Sequence, residues 1–301
     1  MEAISAHFFG AFKSQFPINM STVQFMRESD NVVVAATPVT FEGLPGKWRS
    51  ADPQTRGIHC LELTVCDGAV IAHTSGAVQN SLVDWGVAPI SNLFADSVSS
   101  AKCAGFQLRY ELDPVTSHIQ ASLKLGVLVL GVHQFFRAGR GRDNYFFREF
   151  LAVTEPVSES RSALPVGRSC GHDERLGNSP AAIQRFIGFW SNTNSRSRGI
   201  AGIGLDVSGK EAKVRVHGVG AGKLIDWGEC TGEVFACIEE DRVLSAAILA
   251  RYDFGFFDCE LQIRQNKGIL AVTTFNRFHD ESGRSNYVNR ELFHRESPSE
   301  V

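Results

Sequence analysis

The sequence predicts an all-β protein of two tandem antiparallel up-and-down barrels, about eight strands each, with a short N-terminal helix. Three observations predict it: an internal duplication, period-2 alternation of apolar residues, and turn residues where short antiparallel connections need them. The duplication is the strongest. At an offset of 142 residues Trp48 falls on Trp190, Arg56-Gly57-Ile58 on Arg198-Gly199-Ile200, and Asp84-Trp85-Gly86 on Asp226-Trp227-Gly228. Arg109-Tyr110 meets Arg251-Tyr252, Asn144-Tyr145 meets Asn286-Tyr287, and Arg148-Glu149 meets Arg290-Glu291. All four Trp and all four Tyr of the chain belong to these pairs, which chance does not arrange at one offset.

Within each copy the alternation is that of a half-buried strand. His59, Leu61, Leu63 and Val65 share one face of Ile58 to Val65, matched by Ala201, Ile203, Leu205 and Val207. Similar runs lie at Val70 to Ser75, Phe106 to Leu112, Ile119 to Leu125, Leu128 to Phe136 and Asn144 to Leu151. The Trp48 segment and one near Ala88 to Phe94 bring the number to about eight, enough to close a barrel and leave no free edge. Asp67-Gly68, Asp113-Pro114 and Asn266-Lys267-Gly268 punctuate the runs. Leu123 to Val132 is apolar on both faces, so its outward side is expected against the other barrel or a second subunit.

The resulting organisation is an N-terminal extension over 1–44, a first repeat over 45–152, a linker over 153–185, a second repeat over 186–295 and a tail over 296–301. Ile4, Phe8, Phe9 and Phe12 recur at helical spacing, which predicts a short amphipathic helix within residues 1–18 laid on a barrel. The linker is rich in Ser, Pro, Gly and charge.

Composition narrows the function. A net charge of −3 offers no basic face for nucleic acid. The longest apolar stretch, Leu125 to Val132, is far shorter than the roughly 20 residues that span a bilayer, and the N-terminus has no basic n-region. A cytoplasmic protein that avoids membranes is expected, with its seven scattered cysteines reduced and no metal site. Gly199 to Gly204 has the wrong glycine spacing for a dinucleotide fingerprint, and Gly218 to Lys223 lacks the first glycine of a P-loop. Cys170-x-His172-Asp173-Glu174 has ligand-type residues but no second ligand pair. No cofactor is expected.

Gly46-x-Trp48 and Gly188-x-Trp190 open the repeats, and Arg148 and Arg290 lie on the last strands. This resembles the calycin superfamily of lipocalins, fatty-acid-binding proteins and avidins, where a first-strand Gly-x-Trp stacks beneath a last-strand arginine. The resemblance implies that Trp48 with Arg148, and Trp190 with Arg290, close the barrel ends. Trp190-Ser191-Asn192 is similar to the Trp-x-Asn start of avidins, but no run maps onto avidin's biotin contacts. Two fused barrels resemble lipocalin-like cyclases and Diels–Alderases of secondary metabolism and hydratases of the carotenoid type. That implies a cofactor-independent cyclase or isomerase of a largely apolar small molecule; the alternative is a carrier that sequesters a hydrophobic ligand.

Residues kept in both copies are expected to be structural. Arg56 with Asp84, and Arg198 with Asp226, predict an acid–arginine tie at a barrel corner. Function is expected where inward residues differ. His59, against Ala201, is predicted to project into the first barrel as a catalytic or ligand-orienting group, or else as a hydrogen-bonded core histidine. Tyr110 is the second catalytic candidate. Phe106, Leu108, Gln134, Tyr252 and Asn276 are the candidate ligand contacts, the two amides orienting a polar ligand group. Asp258 and Glu260 alternate outward, where a solvated face is expected. A homodimer is compatible with the apolar outer face.

Overall fold

A computed structural model describes residues 38–78, 81–137, 143–155, 183–220, 223–239 and 242–296. The helix expected within 1–18 and the Cys170/His172 stretch lie outside the described residues. The first copy supplies β1 (Gly46–Ser50), β2 (Ile58–Cys66), β3 (Ala69–Val78), β4 (Ser81–Ala95), β5 (Cys103–Leu112), β6 (Val115–Lys124), β7 (Val127–Phe136) and β8 (Tyr145–Glu155). The second supplies β9 (Gly188–Asn192), β10 (Ile200–Ser208), β11 (Glu211–Gly220), β12 (Lys223–Glu239), β13 (Arg242–Asp253), β14 (Phe257–Asn266), β15 (Ile269–Phe278) and β16 (Tyr287–Arg295). The described residues are all-β, and their sixteen strands form one sheet.

Alternation makes these strands. In β11, Ala212, Val214, Val216 and Gly218 are buried while Glu211 and Lys213 are exposed, the pattern of a strand with one face on a core. Tight turns join neighbours where two successive residues take positive φ, as at Asp67 and Gly68 (51° and 77°) and at Lys267 and Gly268 (48° and 81°). That twist matches the twist of the flanking strands.

Each strand pairs antiparallel with the next inside its own copy, and the last returns to the first: Trp48 of β1 lies opposite Val153 of β8, and Trp190 of β9 opposite Arg295 of β16. The pairings therefore run in two closed rings, each around its own apolar cluster. The first cluster includes Trp48, Leu61, Phe106, Leu108 and Leu130; the second includes Trp190, Ile203, Leu261 and Phe293.

Two short parallel contacts join the rings. Tyr145 of β8 pairs with Ala236 of β12, and Tyr287 of β16 pairs with Ala95 of β4. The Ala236 N–H donates to Asn144 O at 3.0 Å, and the Ala95 N–H donates to Asn286 O at 2.7 Å. These are one contact made twice with the copies exchanged, so an approximate twofold axis passes between the rings. The outward side of β7 does face the second ring: His133 lies 4.8 Å from the Phe235 ring. At Gly131 a Cβ would stand 1.9 Å from Gln262 Nε2, so the bare backbone there admits the glutamine. No helix among the described residues is long and apolar enough to cross a membrane.

Candidate functional site

The residues common to both copies build the ring ends. Trp48 Nε1 donates to Leu44 O and Trp190 Nε1 to Phe186 O, each at 2.9 Å. The arginines stand elsewhere than the calycin resemblance implies. Arg148 stacks on Phe150 at 4.6 Å, and it is Arg295, not Arg290, whose guanidinium lies 6.0 Å from the Trp190 ring. The register explains this, because residues opposite Trp48 and Trp190 are 153 and 295, five positions after Arg148 and Arg290.

The predicted acid–arginine tie is also corrected. Asp84 Oδ1 lies 2.8 Å from His73 Nε2 and accepts the Gly86 N–H at 2.7 Å. Asp226 pairs with Arg215 and accepts the Gly228 N–H at 2.9 Å. Arg56 and Arg198 are exposed on the β1–β2 and β9–β10 connections. The aspartates cap a bulge of their own strand, where Gly86 and Gly228 take φ near 80°, and a cross-strand side chain, His73 or Arg215, supplies the second partner. Burial pushes the Asp226 carboxyl up, but Arg215 together with the Gly228 N–H and His217 outweighs it and holds it below the ordinary range.

Glu149 and Glu291 were recognised in the sequence only as part of the repeat. Glu149 accepts from Ser50 Oγ at 3.1 Å and from Thr55 Oγ1, and burial raises its carboxyl above the ordinary value. Glu291 accepts from Asn192 Nδ2 at 2.9 Å, from Ser197 Oγ and from the Ile200 N–H at 3.1 Å. Each glutamate ties down the connection between the first two strands of its ring.

Of the two proposed catalytic residues, His59 is misplaced by the sequence reading. The register slips between Ile58 and Cys60, which pair with adjacent Gly76 and Ser75. A bulge contains one extra residue, so His59 leaves the face of Leu61 and Leu63 and lies outside, its Nε2 3.3 Å from Arg49 on an exposed surface. Val65, expected inward, is 46% exposed near the strand end.

Tyr110 does point inward. Its hydroxyl lies 2.8 Å from both Ala72 O and Thr74 Oγ1, and Trp85 meets its ring edge-on at 5.8 Å. Tyr252 repeats this with Val214 O at 2.6 Å and Trp227 at 5.5 Å. Burial drives both phenols far above their ordinary value, so they are neutral donors committed to the wall.

Phe106, Leu108, Tyr110 and Gln134 come together in the first ring, with Tyr110 opposite Ser117 and Ser117 opposite Gln134. Ser117 Oγ lies 3.0 Å from Gln134 Oε1, while Gln134 Nε2 is buried with no hydrogen-bond partner among the described residues. The hydroxyl matches either end of the amide, so one end stays unmatched whichever way the amide is turned. Asn276 is different: its Nδ2 lies 3.1 Å from Thr274 Oγ1 and 3.2 Å from Tyr287 O.

The surface between the rings is where the sequence reading missed most. Asp258 and Glu260 face outward as predicted, but that face is covered rather than solvated. Asp258 is wholly buried, held by Arg277 Nη2 at 2.6 Å and by His279. Glu260 receives Gln107 Nε2 and Gln120 Nε2 at 2.9 Å from the first ring, with His118 Nε2 at 3.3 Å. Burial pushes the Glu260 carboxyl up, yet His118, with Arg277 and Arg251 beyond it, outweighs this and holds it low. His133 is buried beside these groups with no partner for either ring nitrogen among the described residues, and burial holds it well below the usual histidine range. A signal was available: His118 and Glu260, and His133 and Phe275, are repeat mates that differ in kind. Among the described residues no group of three His, Cys, Asp or Glu side chains is placed to hold a metal ion. No protein-family model, curated protein or solved structure matches this chain.

Proposed function

We propose that each ring is an up-and-down barrel of the calycin type, and that the first one binds a largely apolar small molecule with Gln134 holding a ligand oxygen. The observation that carries this reading is the unmatched, fully buried Gln134 amide in an apolar interior. A buried amide end without a partner costs about 1–3 kcal/mol, and a ligand carbonyl or hydroxyl would remove that cost. The matched Asn276 in the second ring has no such need, which supports unequal duties for the two rings. Closure of each ring by antiparallel pairing supports the barrel geometry.

Sequestration is favoured over cyclisation. A cyclase acting by proton transfer needs a free inward acid or base, whereas His59 lies outside, the Tyr110 and Tyr252 hydroxyls are bonded to carbonyls of their own walls, and the buried Glu149 carboxyl is taken up by Ser50 and Thr55. The test uses Nile red, a neutral apolar dye with a carbonyl acceptor, titrated into the full chain. Binding is expected, weakened about tenfold by Gln134→Leu through loss of a hydrogen bond near 1.4 kcal/mol, and unchanged within about twofold by Tyr252→Phe in the other ring. Absence of dye binding, or equally tight binding by a folded Gln134→Leu, sinks the reading.

A further inference from the structure

A second site lies outside both rings, on the approximate twofold axis. Repeat mates meet there: Gln262 Nε2 donates to Gln120 Oε1 at 3.3 Å, although the two residues are 142 apart in the chain. Beside this pair lies a shallow cleft that opens to solvent. Arg148 of β8 and Arg290 of β16, also repeat mates, line it from opposite rings, and Arg264 of β14 adds a third guanidinium where the first copy has Ser122. The Thr273 side chain completes a polar wall.

Arg148 and Arg290 make no ion pair with any described residue. The carboxylate that touches Gln120, Glu260, is matched by Gln107, His118 and Arg277. Arg148 is half-buried, and its guanidinium stacks on the face of Phe150. Burial, then the charges of Arg264 and Arg290, lower its pKa to about 9. Arg148 and Arg290, lining one small space, repel each other, and an oxyanion accepting their N–H forks turns that repulsion into attraction.

We propose that the cleft between the rings binds a phosphate-type oxyanion, held by Arg148 and Arg290 with Arg264 and the Gln120–Gln262 pair orienting it. A tetrahedral dianion fits better than a single carboxylate because it offers acceptors on every side of a site lined from two rings and offsets more of the charge. The bare solvated-surface alternative accounts for Arg290, which is exposed, but not for Arg148, which is withdrawn from water without an anion.

The experiment measures thermal unfolding and calorimetric titration of the full chain with inorganic phosphate, against chloride at equal ionic strength. Phosphate is expected to raise Tm beyond chloride and to bind with one site per chain. Arg148→Gln and Arg290→Gln should each weaken it at least tenfold, and Arg148→Lys should weaken it less than Arg148→Gln, since it keeps charge and loses the fork. Circular dichroism of each variant establishes that it is folded. A parallel titration with glycerol 3-phosphate separates the sources of the anion: tighter binding than inorganic phosphate identifies a small phosphate ester, and equal binding the free ion. Phosphate acting no differently from chloride, or binding unchanged in folded Arg148→Gln and Arg290→Gln proteins, overturns the proposal. So does Arg148→Gln that raises Tm without phosphate and leaves the phosphate response intact.

Discussion

Trp85 meets Tyr110 at 5.8 Å and 77°, and Trp227 meets Tyr252 at 5.5 Å and 75°. His118 stands where the second copy has Glu260, and the two meet across the join at 3.3 Å. Ring-end mates stay alike because each does the same work inside its own ring. Axis mates are in contact with each other, so likeness there is a constraint: two histidines or two glutamates at one point would repel. A symmetric dimer must accept identical residues near its axis, whereas a fused chain can make the two sides complementary. Gln120 with Gln262 shows the like pairing that a self-matching amide tolerates; His118 with Glu260 shows the unlike one.

Three perturbations would break or sharpen this contrast. The largest effect is expected at Asp258, which has no acidic mate, its counterpart being Thr116. Asp258→Ala strips half-buried Arg277 of its main partner and should cost about 3 kcal/mol or more by denaturant unfolding. Thr116→Ala should stay within about 0.5 kcal/mol. Equal costs would mean that the covered outer face of β14 contributes nothing special.

The ring ends should respond equally. A Cβ on Gly76 would stand 2.6 Å from Trp85 Nε1, and one on Gly218 would stand 2.3 Å from Trp227 Nε1. Gly76→Ala and Gly218→Ala should therefore each cost about 1–3 kcal/mol by overpacking and shift tryptophan emission. If one is silent and the other severe, the equivalence of the two ends fails.

His133→Phe, which copies Phe275 of the second half, should be stabilising by about 1 kcal/mol at pH 7, because two buried unpaired ring nitrogens disappear. Its pH dependence carries a sign. The folded pKa of His133 lies below the unfolded value of about 6.5, so the unfolded chain takes up the proton first and wild-type stability falls as pH drops below that value. The variant loses this slope, and its advantage should widen from pH 7 to pH 5. A gap that stays constant over that interval would show that His133 does not titrate on unfolding.

The all-β class, the repeat and the eight strands per copy were legible because alternation and turn chemistry are local, and because a duplicated chain prints its framework twice. Tyr110, Gln134 and Leu108 were correctly expected inward for the same reason, lying on unbroken stretches of regular strand. His59 was not, since a single bulge residue reverses every face before it and no composition rule marks where it falls. Arg148 and Arg290 were assigned to the ring ends from a motif, but their neighbours were decided by register across the closing pair of strands. The sequence by itself determined what each strand shows to its own ring. Only the tertiary structure decided what covers the other face, because the two rings meet through residues roughly 90 to 190 positions apart, and no local pattern distinguishes an outward Glu260 in water from one buried against Gln107, His118 and Gln120.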